Sequence, residues 1–281
     1  MLCFAYNWYR KVLILSKSDQ YVDLKSHKRR KESSMKNAVV TGHMNGMGKG
    51  AYELLKQKGY NVIGWDISGE GDEKVDVSSA KDVAEAAARL TEPIDAVVLC
   101  AGVWREMPLL ETTDDDWNYL MNINAYGIFN CVRALVPHMH RDTAIAAISS
   151  ASGMRGVPFE AAYSASKFAV CGFAEAAARE LGPRGIRINV VCPFYVRTPM
   201  TDAALIEKEE LTGITVEESY KMEGDQVPLG RVAEPEDIAE LLYFLVSDAS
   251  RYVTGAIIPI SGGTHCGYGP VLSSYDEKDV E

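Results

Sequence analysis

Six short apolar runs alternate with segments of helical spacing between residues 37 and 260, and this alternation constrains the fold more than any other feature. The runs are Asn37–Thr41, Asn61–Asp66, Ala96–Ala101, Ala144–Ser149, Arg187–Cys192 and Ala256–Ile260. Most read as continuous stretches of Val, Ile, Leu and Ala, the pattern of strands buried on both faces. Between them, Met47–Lys58, Ala80–Leu90, Trp117–His140, Ala161–Leu181 and Pro235–Val246 carry helical spacing. Strand–helix alternation implies an α/β fold, a doubly wound parallel sheet with right-handed crossovers. Ligands in such sheets bind outside the carboxyl ends of the strands, so functional residues are sought where each run ends.

The 281 residues are 47% apolar and 24% charged, which fits a globular chain and excludes a disordered one or a disulfide scaffold. No apolar run approaches the ~20 residues of a membrane helix. A net charge of −10 argues against nucleic acid as a partner. Residues 1–34 hold eight Lys/Arg and three acids, so they carry +5 and leave −15 to the remainder. They read as a basic N-terminal extension with Phe4, Tyr6, Trp8 and Tyr9 as aromatic anchors. Asn7, Arg10 and Lys11 interrupt its apolar start, unlike a secretory signal. Three roles stay open for it: upstream sequence without function, a tether to anionic surfaces, or an arm docked on the acidic body. Residues 35–266 read as one domain and 267–281 as a C-terminal tail. The six cysteines are widely spaced with no Cys-x-x-Cys, so no metal site and a reduced, cytoplasmic setting are expected.

The first run leads into Thr41-Gly42-His43-Met44-Asn45-Gly46-Met47-Gly48, which then opens a helix. Glycines there permit a tight turn and close approach of a pyrophosphate to free helix N–H groups. Asp66 ends the second run, where a carboxylate can accept both adenosine ribose hydroxyls and repel a 2′-phosphate. No Arg follows it in Ile67-Ser68-Gly69, and the turn offers only His43, so NAD(H) is expected rather than NADP(H). Tyr163 and Lys167 lie four apart on one helical face. A phenol near pKa 10 is a poor base, and a neighbouring ammonium would lower that value.

Together these motifs resemble the short-chain dehydrogenase/reductase family over residues 36–263. The glycine turn is similar to that family's T-G-x₃-G-x-G. Asn124, Ser150, Tyr163 and Lys167 resemble its Asn-Ser-Tyr-Lys tetrad, with Ser150 thirteen residues before Tyr163. The resemblance implies a Rossmann-type fold and a catalytic tetrad. Ser150 then polarises the substrate oxygen, Tyr163 acts as acid/base, Lys167 binds the nicotinamide ribose and lowers the Tyr163 pKa, and Asn124 holds a relay water. Ser149 is the rival to Ser150, since neighbouring strand residues point to opposite faces; family spacing favours Ser150. The cofactor would be held by Gly42, Asn45, Gly46, Met47, Gly48, Asp66, Ile67, Asp76, Val77, Cys100, Ala101, Gly102, Tyr163, Lys167, Pro193, Val196 and Thr198. Two departures stand out. Cys100 occupies a position where relatives carry Asn, and a thiol is a poor substitute donor. Phe194 replaces a Gly, so either the loop differs or Phe194 and Tyr195 build an apolar wall.

The implied activity is NAD(H)-dependent interconversion of a secondary alcohol and a ketone by direct hydride transfer. Residues 199–226 match the family's mobile substrate lid, with Met200, Leu205, Met222 and Val227 as inner-face candidates. Substrate contacts are expected from Ser150, Ser152, Tyr163, Trp104, Met154, Phe159, Phe194, Tyr195 and Met200. This wall suits a bulky apolar alcohol or ketone, and bacterial hydroxysteroid dehydrogenases, including those acting at the 20β position, look similar in character. A cis-dihydrodiol or alicyclic alcohol dehydrogenase is the alternative, and a non-catalytic NAD-binding redox-sensing module the reading from another class. Relatives commonly form homotetramers or dimers, so an oligomer is expected from the resemblance.

Overall fold

The apolar runs become six strands of a seven-stranded parallel sheet in this computed structural model, which describes residues 35–68 and 73–266. The expectations for residues 1–34 and 267–281 lie outside the described residues. The strands are β1 (Asn37–Thr41), β2 (Asn61–Asp66), β3 (Glu73–Lys74), β4 (Ile94–Leu99), β5 (Met139–Ile148), β6 (Ile186–Pro193) and β7 (Ile257–Ile260). Their order across the sheet is β3-β2-β1-β4-β5-β6-β7, and every pairing is parallel. The chain therefore reverses its winding direction between β1 and β4, which opens a crevice at their carboxyl ends.

Alternation along each strand divides the core between two faces. Val39, Val97, Ile145 and Ile188 face one side, where α2 (Ala80–Ala88), α4 (Gly127–Leu135) and α5 (Ala161–Leu181) pack. Val40, Val98, Ala146 and Val191 face the other, against α1 (Gly46–Gln57) and α8 (Pro235–Val246). β1 and β4 are buried along their whole length, which explains why their sequences lack polar alternation. Truncating a core residue such as Ile145 to Ala would cost about 2–5 kcal/mol. The helix starts follow local chemistry: Ser79 caps α2, and Pro235 occupies the first turn of α8, where its missing N–H costs nothing. Among the described residues no helix is long and apolar enough to cross a membrane.

Two elements differ from the sequence expectations. The segment 117–140 is not one helix. It divides into α3 (Asp114–Leu120), a π turn (Met121–Tyr126) and α4, after which Pro137 stops the helix and Met139 begins β5. The edge strand β3 was not expected; it is two residues long and pairs Glu73–Lys74 with Trp65–Asp66. The acidic segment 199–226 forms two helices, α6 (Pro199–Thr212) and α7 (Val216–Gly224), separated by Gly213 in a left-handed conformation.

Candidate active site

The β1–β4 crevice is shaped by backbone approaching backbone. Gly42 has φ of +70°, and a Cβ on it would lie 2.8 Å from the Ala101 nitrogen. A Cβ on Gly48 would run into the Gly42 carbonyl oxygen. Any side chain would fill this cradle, so the glycines keep open the space that a pyrophosphate occupies in such turns. Asn45 precedes α1 without capping it, which leaves the first-turn N–H groups without a side-chain partner from that residue. Asp66 accepts the Met44 N–H at 3.2 Å and the Ser68 N–H at 3.0 Å, so its carboxylate is fixed beside the turn. His43 is only 4% exposed; its ring packs over Gly64 and 5.0 Å from Tyr52. It is thus turned away from a ligand that Asp66 would meet.

The remaining cofactor candidates ring the same crevice. Cys100 and Ala101 donate their N–H groups to the Thr41 hydroxyl at 3.1 and 3.2 Å. Thr41 thereby stabilises the sheet centre without any donor from the thiol, whose pKa burial pushes up to about 12. Asp76 accepts both the N–H and the hydroxyl of Ser78, and the Val77 carbonyl accepts Asn130 Nδ2 at 3.0 Å. Ile67 is exposed. Thr198 caps α6 through the Thr201 N–H at 3.3 Å, and Val196 bridges Ala233. Glycine turn and anchored acid together fit a dinucleotide.

The tetrad candidates converge beyond β5. Ser150 follows the strand in extended conformation and accepts the Ser152 N–H at 3.1 Å. Ser149 differs: its hydroxyl donates to the Lys167 carbonyl at 2.8 Å and is 2% exposed as a residue. Both residues line one cavity, and the Ser149 hydroxyl is already engaged by a helix carbonyl. Tyr163 and Lys167 share one face of α5, with Lys167 Nζ 5.6 Å from the Tyr163 ring centre. Lys167 is buried, and burial lowers its pKa from 10.5 to about 8. Burial also holds the Tyr163 phenol above its ordinary value; a hydrogen bond with Ser150 opposes this, and Glu160 reinforces it. Against the sequence expectation of a lowered Tyr163 pKa, burial is the largest influence and only the Ser150 hydrogen bond opposes it. Asn124 sits in the π turn with no exposure. Its amide donates to the Val103 carbonyl at 2.9 Å and to Ser166 Oγ at 3.0 Å, while Oδ1 accepts the Val103 N–H at 2.8 Å.

A family profile described as enoyl-(acyl carrier protein) reductase matches residues 42–265. The chain is 34% identical over 249 residues to the 3-oxoacyl-[acyl-carrier-protein] reductase FabG of Thermotoga maritima, covering 81% of this chain and 97% of that one. A short-chain dehydrogenase family protein from Francisella tularensis superposes with a TM-score of 0.78 at 30% identity, over 83% of this chain and 100% of that one. The chain belongs to the short-chain dehydrogenase/reductase family. It is an oxidoreductase. A further family structure, ElxO with NADP bound, has a TM-score of 0.74 at 26% identity, over 83% of this chain and 100% of ElxO.

Within this short-chain dehydrogenase/reductase scaffold, a cavity of about 260 Å³ lies over Ser150 and Tyr163. Trp104, Ser152, Phe194, Tyr195 and Met200 line it as expected, together with Met47, Pro193, Val196 and Thr198. Phe194 has no left-handed backbone, so the ring takes a glycine's place without strain and stands 6.4 Å from Tyr195. Two expected contacts fail. Met154 and Phe159 are 40% and 64% exposed and do not line the cavity. Phe159 is itself left-handed, with φ of +65°, and this turn brings the next residue, Glu160, into the cavity instead. Among the inner-face candidates after β6, Leu205 packs with Tyr220 and Val232, Met222 is half exposed, and Val227 lines a separate cavity. Glu223 reaches the main cavity in their place, and Glu106 joins it from the segment after β4. None of these three glutamates was singled out from sequence, because a single Glu in a loop or on an acid-rich helix carries no distinguishing signal.

Proposed function

We propose that this oxidoreductase interconverts a secondary alcohol and a ketone with NAD(H), using Tyr163 as proton donor and acceptor. The observation that carries this reading is the meeting of Ser150 and Tyr163 at one cavity, with Lys167 buried behind the Tyr163 ring and a glycine cradle at the first strand's end. A bound nicotinamide supplies the hydride for reduction and accepts it in oxidation. Ser150 Oγ holds the substrate oxygen within reach of Tyr163. The Tyr163 hydroxyl gives its proton to that oxygen as the carbonyl is reduced and takes it back as the alcohol is oxidised. Lys167, buried on the same helix face, supplies positive charge beside the phenol. With both amide hydrogens of Asn124 already donated, a relay water there would rest on its backbone carbonyl. The intact constellation speaks against a non-catalytic NAD-binding module.

The NAD(H) preference rests on Asp66, anchored beside the turn, and on the burial of His43. For the substrate, Trp104, Val157, Phe194, Tyr195 and Met200 support a bulky molecule. A steroid suits that apolar wall but offers few partners to the carboxylates across from it. The 3-oxoacyl thioesters named for the relatives are a second reading, supported by 34% identity. A homodimer or tetramer is supported by Tyr126, Phe129 and Phe168, exposed on neighbouring elements. The test is nicotinamide absorbance with NAD and NADP in parallel, over secondary alcohols and their ketones. At least a tenfold higher kcat/KM with NAD supports the reading, and an equal or higher value with NADP removes the cofactor assignment.

A further inference from the structure

We infer that Glu160 is a specificity-determining residue that receives a hydrogen-bond donor, hydroxyl or ammonium, carried by the substrate next to its reacting carbon. The inference rests on the proposed function and concerns the substrate class of the same cavity.

Glu160 is 7% exposed, yet it lines the cavity that contains Ser150 and Tyr163. It is held from two sides. Trp104 Nε1 donates to Oε1 at 2.7 Å, and the Ser152 hydroxyl donates to Oε2 at 2.5 Å. Ser152 also donates its N–H to Ser150 Oγ, so Glu160 is tied through one residue to the group that would hold the reacting oxygen. A carboxylate offers about four acceptor positions, and the described residues fill two. Its charge reaches both the proton-transfer group and the wall, since it raises the pKa of Tyr163 and of Tyr195.

Two further carboxylates stand around the same space. Glu106 and Glu223 line the cavity, and neither side chain forms a hydrogen bond or ion pair among the described residues. Burial raises both pKa values, Glu160 raises that of Glu106 further, and Lys208 lowers both. A substrate that covered these acceptors with carbon alone would leave them desolvated without partners, which is unfavourable. An anion would add repulsion. A substrate with an adjacent hydroxyl or ammonium would satisfy Glu160 while its body lies on the aromatic wall. The positions rejected by such a site are those lacking the donor, the discrimination that buried polar groups perform most strongly.

Four ring alcohols of matched size test this: 2-methylcyclohexanol, 1,2-cyclohexanediol, 2-aminocyclohexanol and 2-hydroxycyclohexanecarboxylate. The expected wild-type result is a kcat/KM at least tenfold higher for the diol or the amino alcohol than for the methyl compound, with the carboxylate poorest. In Glu160→Gln that ratio should fall at least fivefold while NADH binding, read by fluorescence, persists. A preference for the amino alcohol that fades with added salt assigns an ammonium; a salt-independent preference for the diol assigns a hydroxyl. An equal or better rate with 2-methylcyclohexanol in the wild type overturns the inference, as does an unchanged ratio in Glu160→Gln. Absence of turnover with all four alcohols and their ketones counts instead against the alcohol/ketone reading of the site.

Discussion

Lys167 Nζ stands 5.6 Å from the centre of the Tyr163 ring, and burial sets the titration of both groups. Lysine binds a proton more weakly in this folded chain than in an unfolded one. Below pH 8 both states hold the proton, and the buried charge costs the folded state stability. Moving from 10.5 to about 8 corresponds to about 3 kcal/mol at most. The penalty fades as pH rises from 8 towards 10.5. Lys167→Met should therefore melt above wild type at pH 7, with a smaller gap at pH 9.5. Thermal melts at the two pH values check this, and a variant that melts lower at pH 7 contradicts it.

The glycine cradle predicts a separate loss. A Cβ at position 48 would overlap the Gly42 carbonyl, which is backbone and cannot rotate away. Gly48→Ala should weaken NADH binding by at least about tenfold and destabilise the fold by a few kcal/mol, as overpacking against rigid atoms does. Fluorescence titration and a urea melt would measure both. Wild-type affinity in this variant would show that the turn adopts another shape.

How much of this could be read from sequence depends on the kind of signal. Strands buried on both faces leave long apolar runs, so β1 and β2 are legible to the residue. Tyr163, Lys167 and the glycine turn are legible because their chemistry demands fixed spacing. The break at residues 121–126 is not, since a π turn keeps the composition of the helix around it. Nor is the role of Thr41, whose hydroxyl accepts the backbone N–H of Cys100 from 59 residues away. Phe159 was expected in the cavity for its ring. Its left-handed backbone reverses the outcome, and no residue-type preference announces that conformation in a Phe.

Asp66 should govern the choice of cofactor. Replacing it with Ser removes the charge that opposes a 2′-phosphate and one acceptor for the ribose. Asp66→Ser should lower kcat/KM with NAD and shift the NAD:NADP ratio by at least about tenfold, or 1.4 kcal/mol. Initial rates with both cofactors decide this, and a constant ratio would take Asp66 out of the discrimination.

Arg197 joins the Val196–Thr198 loop to α7. Its guanidinium pairs both nitrogens with Glu217, at 2.7 and 3.0 Å, and lies 3.9 Å from the Tyr220 ring centre. Tyr220 in turn donates to Asp202 at 2.7 Å, so α7, α6 and the Val196–Thr198 loop form one linked unit. Exposed ion pairs contribute little by themselves. The effect of Arg197→Ala should therefore be on lid closure: a substrate KM raised roughly threefold to tenfold with a smaller change in kcat. Steady-state kinetics would show it, and unchanged KM would separate Arg197 from the lid.

The central claim is that Tyr163 moves the proton at this cavity, and Tyr163→Phe tests it most directly. The variant keeps the ring, its packing on α5 and the glycine cradle, and deletes only the hydroxyl that meets Ser150. Turnover of alcohol with NAD and NADH affinity should be measured on the same preparation. The account predicts that turnover falls by at least about 10²-fold while NADH affinity stays within a few-fold of wild type. Turnover within a few-fold of wild type would contradict it.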